Sequence, residues 1–411
     1  MTPKLINFCK VARLITLVAA FAATAACSRA VPADTAPPFA GDADSSAEAP
    51  PAAPDETPYA DGEKYELAEN LYADVEIFGA VPAEVATFVT VPKVFTPDVV
   101  EELFLSGDDS ERELTWHKSI PRGPENPDPN GFELNTANGR LISQGDGGVI
   151  YHSPTNKTDD EISTVMRRYA ENVQNVNDVE LSHMTRREAQ EYAGGIIDAL
   201  GVFGEPELRV FIGMTAGGIA EYQNTLTRDL QWYAEDIDAG RSILLDMLGE
   251  KDEAYYLSFV FNYGDLPLFN YNFERPLYTA STANVTIRST SCEVLIVGGE
   301  LRTFNLTGSY EAAGEERAAV PIIGAADVID ACREKYELQI VSEPIIFKKM
   351  FLEYIATRTP PSTKHDATVT FSPYWCIELS SEMATETGVV EYAGGAERFN
   401  AITGKDFAYA G

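Results

Sequence analysis

Cysteine, histidine and basic residues are all scarce in this chain, and each scarcity removes a class of explanation. Only five cysteines occur in 411 residues. Cys9 and Cys27 lie near the N-terminus, which leaves Cys292, Cys332 and Cys376 for a folded region. Three thiols do not make a disulfide framework. His117, His152, His183 and His365 are scattered, and neither H-E-x-x-H nor paired-cysteine spacing occurs, so no zinc motif is present. A G-x-S-x-G elbow and an S-x-x-K motif are also missing, which removes the common signs of an activated serine. No cofactor is expected. Lysine and arginine number 31 against 64 aspartates and glutamates, for a formal charge of −33. Such a chain repels nucleic acid and anionic lipid headgroups.

The chain is nevertheless 45% hydrophobic and 10% aromatic, which excludes disorder throughout. Lys4, Lys10 and Arg13 precede an uncharged run from Leu14 to Ala26, rich in Ala, Leu and Val. The run is too short to span a bilayer comfortably and predicts an export signal over residues 1–26. It closes with Thr24-Ala25-Ala26-Cys27. That ending resembles a bacterial lipobox, with Thr24 where an aliphatic residue is usual. The resemblance implies that Cys27 is a lipid anchor holding the exported chain at the outer face of the cell membrane. Ordinary secretion, with Cys27 incidental, is the plainer alternative. Residues 27–62 follow as an acidic linker rich in Pro and Ala, with almost no large apolar side chain. Such a segment cannot order itself by burial and predicts a disordered, extended spacer.

Beyond the spacer the pattern predicts an α+β fold in three modules: 63–158, 159–322 with a helical insertion, and 323–411. Thr96-Pro97-Asp98 predicts the start of a short helix ending near Leu105. Gly145-Asp146-Gly147 predicts a hairpin between strands at 139–144 and 148–152. Ile162, Val165, Met166 and Tyr169 follow helical spacing, and Thr185-Arg186-Arg187-Glu188 is a capping box. Residues 226–248 are expected to be mostly helical. The chain from 254 onward reads as strands, including 339–346, 351–356, 368–379 and 398–402, around one helix at 325–336. That helix has an apolar face of Val328, Ile329, Cys332 and Tyr336. Two strand pairs echo each other: Cys292 with Arg302-Thr303-Phe304-Asn305, and Cys376 with Arg398-Phe399-Asn400. The echo suggests a duplicated helix-on-antiparallel-sheet module.

Pro373-Tyr374-Trp375 and the closing Arg398-Phe399-Asn400-Ala401-Ile402-Thr403-Gly404 carry a resemblance over about the last 150 residues. They resemble PepSY-type (cystatin-like) modules and are similar to YycH- and YycI-type proteins. The whole chain looks like uncharacterised lipoproteins of Gram-positive (Firmicutes-type) bacteria. The resemblance implies a helix laid across a twisted antiparallel sheet, and a role in restraining a sensor outside the membrane. YycH and YycI use a transmembrane anchor, whereas this chain has the lipobox-like Cys27.

Other candidate sites yield to simpler readings. Asn126, Asp128, Asn130 and Gly131 space like a calcium loop, but Ala137 stands where the bidentate acid belongs, so a turn is expected. Asp108-Asp109 and the pair Asp236 and Asp238 are the kind of carboxylates a glycosidase would use, yet separation defines that mechanism. Tyr255, Leu257, Phe259, Phe261 and Tyr263 alternate onto one strand face and predict core. Phe269, Tyr271 and Phe273 alternate beyond Pro267 and are the candidate binding surface. The expected function is non-catalytic: binding or regulation at the cell envelope, with an envelope protein or wall component as partner. A cell-envelope hydrolase with unidentified carboxylates and a solute-binding lipoprotein are the alternatives.

Overall fold

The computed structural model describes residues 64–116, 131–145, 147–153, 157–268, 290–313, 318–337, 339, 341, 343–358, 369–385 and 388–407. These belong to one unit, Ala53–Gly411. The signal segment 1–26, Cys27, the spacer, the calcium-like turn, and Phe269, Tyr271 and Phe273 all lie outside the described residues.

The fold is α+β, as expected. In chain order the strands are β1 (Tyr65–Ala68), β2 (Leu71–Phe78), β3 (Glu84–Val85), β4 (Phe88–Pro92), β5 (Arg112–Trp116), β6 (Phe132–Thr136), β7 (Leu141–Gly145), β8 (Gly148–His152), β9 (Glu205–Met214), β10 (Ala254–Tyr263), β11 (Leu266–Pro267), β12 (Ser291–Val297), β13 (Glu300–Thr307), β14 (Tyr310–Ala312), β15 (Val320–Pro321), β16 (Ile345–Arg358), β17 (Val369–Thr385) and β18 (Gly388–Asn400). The helices are α1 (Pro97–Phe104), α2 (Lys157–Asn172), α3 (Arg186–Leu200), α4 (Ala216–Asp229), α5 (Gln231–Asp238) and α6 (Ala325–Glu337).

Local chemistry places the helix ends. Pro97 opens α1 behind Thr96, with Asp98 in the first turn, where its charge meets the positive end of the helix. Thr185 and Glu188 cap α3 reciprocally, and Gly201 ends it in the left-handed conformation at φ 56°. Leu230 is extended between α4 and α5, and Gly240 turns the chain at φ 70° after α5. The stretch beyond is therefore irregular rather than helical. The Gln223 side chain holds it, donating to Ile243 O at 2.7 Å and accepting from Leu245 N at 2.7 Å.

Two large sheets share one core. The nine-stranded sheet runs β11-β10-β12-β13-β8-β7-β6-β5, with β9 on β10. The seven-stranded sheet runs β1-β2-β16-β17-β4-β14, with β18 on β17. Its β2–β16 pair is parallel, while β16–β17 and β17–β18 are antiparallel. Neither sheet is built from one of the expected segments alone: strands near residues 65–92 complete a sheet whose centre lies at 345–400. Leu257, Phe259 and Phe304 from one sheet and Phe347, Trp375 and Phe399 from the other are buried together. Phe88 stacks on Phe371 at 5.1 Å and meets Tyr263 of the facing sheet at 4.5 Å. Tyr255, Leu257, Phe259 and Phe261 face this core, as their alternation predicts. The face of α6 carrying Val328, Ile329, Cys332 and Tyr336 is buried in it, and the Trp375 indole donates to Ile323 O at 3.0 Å just before that helix. Helix α3 also packs here, whereas α2, α4 and α5 form a second core on the outer face of the nine-stranded sheet.

Several expected strands shift for visible reasons. The segments at 339–346 and 351–356 are one strand only from Ile345 onward, because a bulge at Lys348 lets Phe347 and Met350 both face the core. The closing strand stops at Asn400, whose Oδ1 accepts from Ile402 N at 3.1 Å and Thr403 N at 2.9 Å. This is an Asx-type turn. In the β7–β8 hairpin Gly147 has φ +74°, and a Cβ there would lie 2.3 Å from Ser309 O. The echoing strand pairs form hairpins in different sheets and in different registers: Cys292 opposes Leu306, whereas Cys376 opposes Arg398. Cys292 faces the shared core and Cys376 faces away from it, so the two thiols are separate, buried and free.

Candidate functional site

A polar cleft of about 260 Å³ opens on the outer face of the nine-stranded sheet, beside α2. Its wall follows from helical spacing. Asp160, Ser163, Thr164 and Arg167 recur at i, i+3, i+4 and i+7, one face of α2, while Ile162, Val165 and Met166 are buried in the core beneath the helix. Its floor follows from strand alternation. Phe304 and Leu306 point into the shared core, which turns Thr303 and Asn305 outward. Strand pairing assembles two rows across the floor. His152 opposes Thr303, which opposes Leu295, which opposes Tyr256. Ile150 opposes Asn305, which opposes Glu293.

Charge pairs bracket the cleft. Arg167 Nη2 lies 3.3 Å from Glu293 Oε2, with both side chains part-exposed. Burial alone would lower the guanidinium, but Glu293 and Tyr256 outweigh it and hold Arg167 firmly charged. Burial pushes the Tyr256 phenol up, and Glu293 adds to this, so the phenol keeps its proton. Burial lowers His152 below the ordinary histidine range, opposed by the nearby Asp160 carboxylate. Its imidazole is therefore neutral at pH 7. At the start of α2, Arg302 lies 3.6 Å from Asp159 and donates to Ser153 Oγ at 3.2 Å. These contacts fix the helix beside the floor. Among the described residues no hydroxyl or thiol is hydrogen-bonded to His152. The arrangement can orient a small ligand by charge and hydrogen bonds.

The carboxylate pairs singled out in the sequence are held in other ways. Asp108 lies in a shallow depression with Asp109, Asn138 and Arg140. It accepts from Ser110 N at 2.9 Å, and its hydrogen bonds with Ser110 lower its pKa. Asp236 pairs with Arg241 at 2.5 Å. All three core cysteines are buried thiols whose pKa burial pushes well up, which keeps them protonated and unreactive. Among the described residues no group of three His, Cys, Asp or Glu side chains is placed to hold a metal ion. None of the described helices is long and apolar enough to cross a membrane. The cleft residues were not singled out from sequence. The signal for them is the polar stripe on α2 and the out-facing positions of β8 and β13.

No family model matches the chain, and no curated protein matches it closely enough to count as a relative. Among solved structures, an uncharacterised protein from Eubacterium rectale is similar, with a TM-score of 0.52 and 12% identity. The match covers 84% of this chain and 92% of that one. At that identity the likeness concerns the fold alone.

Proposed function

We propose that the chain is a non-catalytic binding or regulatory lipoprotein, exported and held at the outer face of the bacterial cell membrane by lipidated Cys27. The observation that carries the binding role is the α2 cleft. It gathers paired charges, a neutral imidazole and hydroxyls on a floor of adjoining strands, polar groups of the kind that orient a bound ligand. The buried, protonated thiols fit the same reading, since a thiol nucleophile needs its thiolate. The anchor rests on the sequence pattern ending in Cys27, and the acidic spacer would carry the folded region clear of the anionic membrane surface. In its finer form the reading makes this protein a PepSY-like restraint or aid of an envelope sensor or a wall-associated protein.

Three measurements test it. The Cys27→Ala chain should leave the membrane fraction for the medium, and retention on the membrane would overturn the anchor. Capture of partners from membrane extracts should recover one sensor or wall-synthesis protein, reduced by substitution in the cleft. Hydrolysis of wall fragments by the pure protein would overturn the non-catalytic role in favour of an envelope hydrolase.

A further inference from the structure

We propose that strand β5 is a docking edge that takes one extended, basic peptide segment of a partner protein as an added antiparallel strand. This goes beyond the α2 cleft to a separate surface, and it rests on the reading of the chain as a binding protein. Strand β5 ends the nine-stranded sheet. Ala137 N donates to Glu111 O, which sets the alternation of the β5–β6 ladder. Glu113 and Thr115 therefore turn their backbone groups to β6, while Arg112, Leu114 and Trp116 each turn an N–H and a C=O away from it. Among the described residues nothing bonds to those outward groups. The opposite edge of the same sheet is guarded. There β9 holds Pro206, Phe211 N donates to Asn175 O at 2.8 Å, and the Asn177 side chain clasps Gly213. Strand β5 has no proline and no bulge, two devices that blunt an edge. Its one inward charge, Arg112, is tied to Glu101 and to Asp108 O.

The two faces of β5 state the chemistry of the occupant. Leu114 and Trp116 oppose the buried Leu134 and Phe132, so they continue the core row, yet they keep 42% and 54% of their surface exposed. The Trp116 ring meets Phe132 edge-on at 5.8 Å. Apolar side chains on an added strand would cover that row. Glu111 and Glu113 alternate onto the other face, both exposed, beside Glu133 of β6. The side chains between the apolar ones are therefore basic. A second copy of this chain would bring the same acids and its own charge of −33 to the edge, which favours a cationic partner instead.

Fluorescence anisotropy of the full chain with dye-labelled acetyl-Lys-Val-Lys-Val-Lys-Val-Lys-amide at pH 7 tests this. In the added strand the peptide valines face Leu114 and Trp116 and point their N–H groups at β5. N-methylation of the central valine thus removes one ladder bond without changing the charge. The plain peptide should bind about tenfold or more tightly than the N-methylated one. It should bind about fivefold or more tightly than the same peptide with glutamate in place of lysine. Leu114→Pro removes an outward N–H and leaves the bonds to β6, so it should weaken binding about tenfold or more. Leu244→Ala, at an exposed leucine elsewhere, should leave binding unchanged, and circular dichroism should show both variants folded. Equal binding of the plain and N-methylated peptides by the native chain would overturn the added strand, even if Leu114→Pro failed to fold. No binding, or preference for the glutamate peptide, would overturn the basic occupant. A dimer in sedimentation that Leu114→Pro dissolves would give the edge to a second copy and overturn the proposal. Each of these failures leaves the cleft standing, because partner capture after substitution in the cleft decides that role separately.

Discussion

Two arginine–glutamate pairs lie on the outer faces of the two sheets, and in both the closest nitrogen and oxygen are 3.3 Å apart. Their surroundings differ. Arg167 and Glu293 beside α2 keep 49% and 32% of their side-chain surface exposed. Arg398 and Glu353 on the seven-stranded sheet keep 6% and 1%. Glu353 also accepts from the Cys376 thiol at 2.8 Å, and burial pushes its carboxyl up against the pull of Arg398. Equal distance therefore carries unequal consequence. Water competes for the first pair and leaves it open to a ligand. The second has exchanged water for protein, and each partner depends on the other.

Breaking the buried pair should give the largest effect. Arg398→Met leaves the Glu353 carboxyl buried without its cation and should cost about 3–5 kcal/mol in urea unfolding. Replacing both with Met and Leu should recover most of that loss. Failure to recover would mean that the packing of Arg398, rather than its charge, supports the sheet. The same carboxyl predicts a pH effect. Its folded pKa is raised above the ordinary 4.5. Its contribution is therefore full below that value and fades as pH rises through the higher folded value. Relative to Glu353→Gln, the native chain should lose stability over that rise. A pH-independent difference between the two would contradict the assignment.

A third acid separates burial from choice of sheet. Glu161 is on α2, on the same outer face as the cleft, yet it is buried and accepts from the Tyr233 hydroxyl, which Gln223 also contacts at 3.0 Å. Tyr233→Phe removes that donor and should cost about 1–3 kcal/mol. Thermal or urea unfolding reads it. A cost near zero would place the difference between the two pairs in the sheets and not in burial.

What the sequence made legible follows the range of the interaction involved. Helix α3 is announced by Thr185 and Glu188 within a single stretch, and α6 by the spacing of Val328, Ile329, Cys332 and Tyr336. The core face of β10 is equally local, because alternation alone sets it. The β2–β16 pairing is not local. Leu71 meets Ile345, and nothing near either residue states the partner. The bulge at Lys348 hides the continuity of β16, since two lysines interrupt the apolar pattern. For the site, the stripe Asp160, Ser163, Thr164 and Arg167 is readable as a polar helix face. Its meaning comes only when Glu293, Thr303 and Asn305 are brought beneath it by strands more than a hundred residues away.

The smallest expected effect is also the sharpest test of the comparison. Arg167→Met removes the cation of the exposed pair and should change stability by less than about 1 kcal/mol in urea unfolding. Salt supplies the control. Between about 0.1 M and 1 M the screening length falls from ~10 Å to ~3 Å, so even this small difference should shrink, whereas the loss in Arg398→Met should persist. Glu293, left without its partner, can turn to water because it is part-exposed, and Glu353 has no such recourse. A loss of more than about 2 kcal/mol in Arg167→Met would break the comparison. The two pairs would then be equivalent in energy as well as in distance, and the cleft would be part of the scaffold.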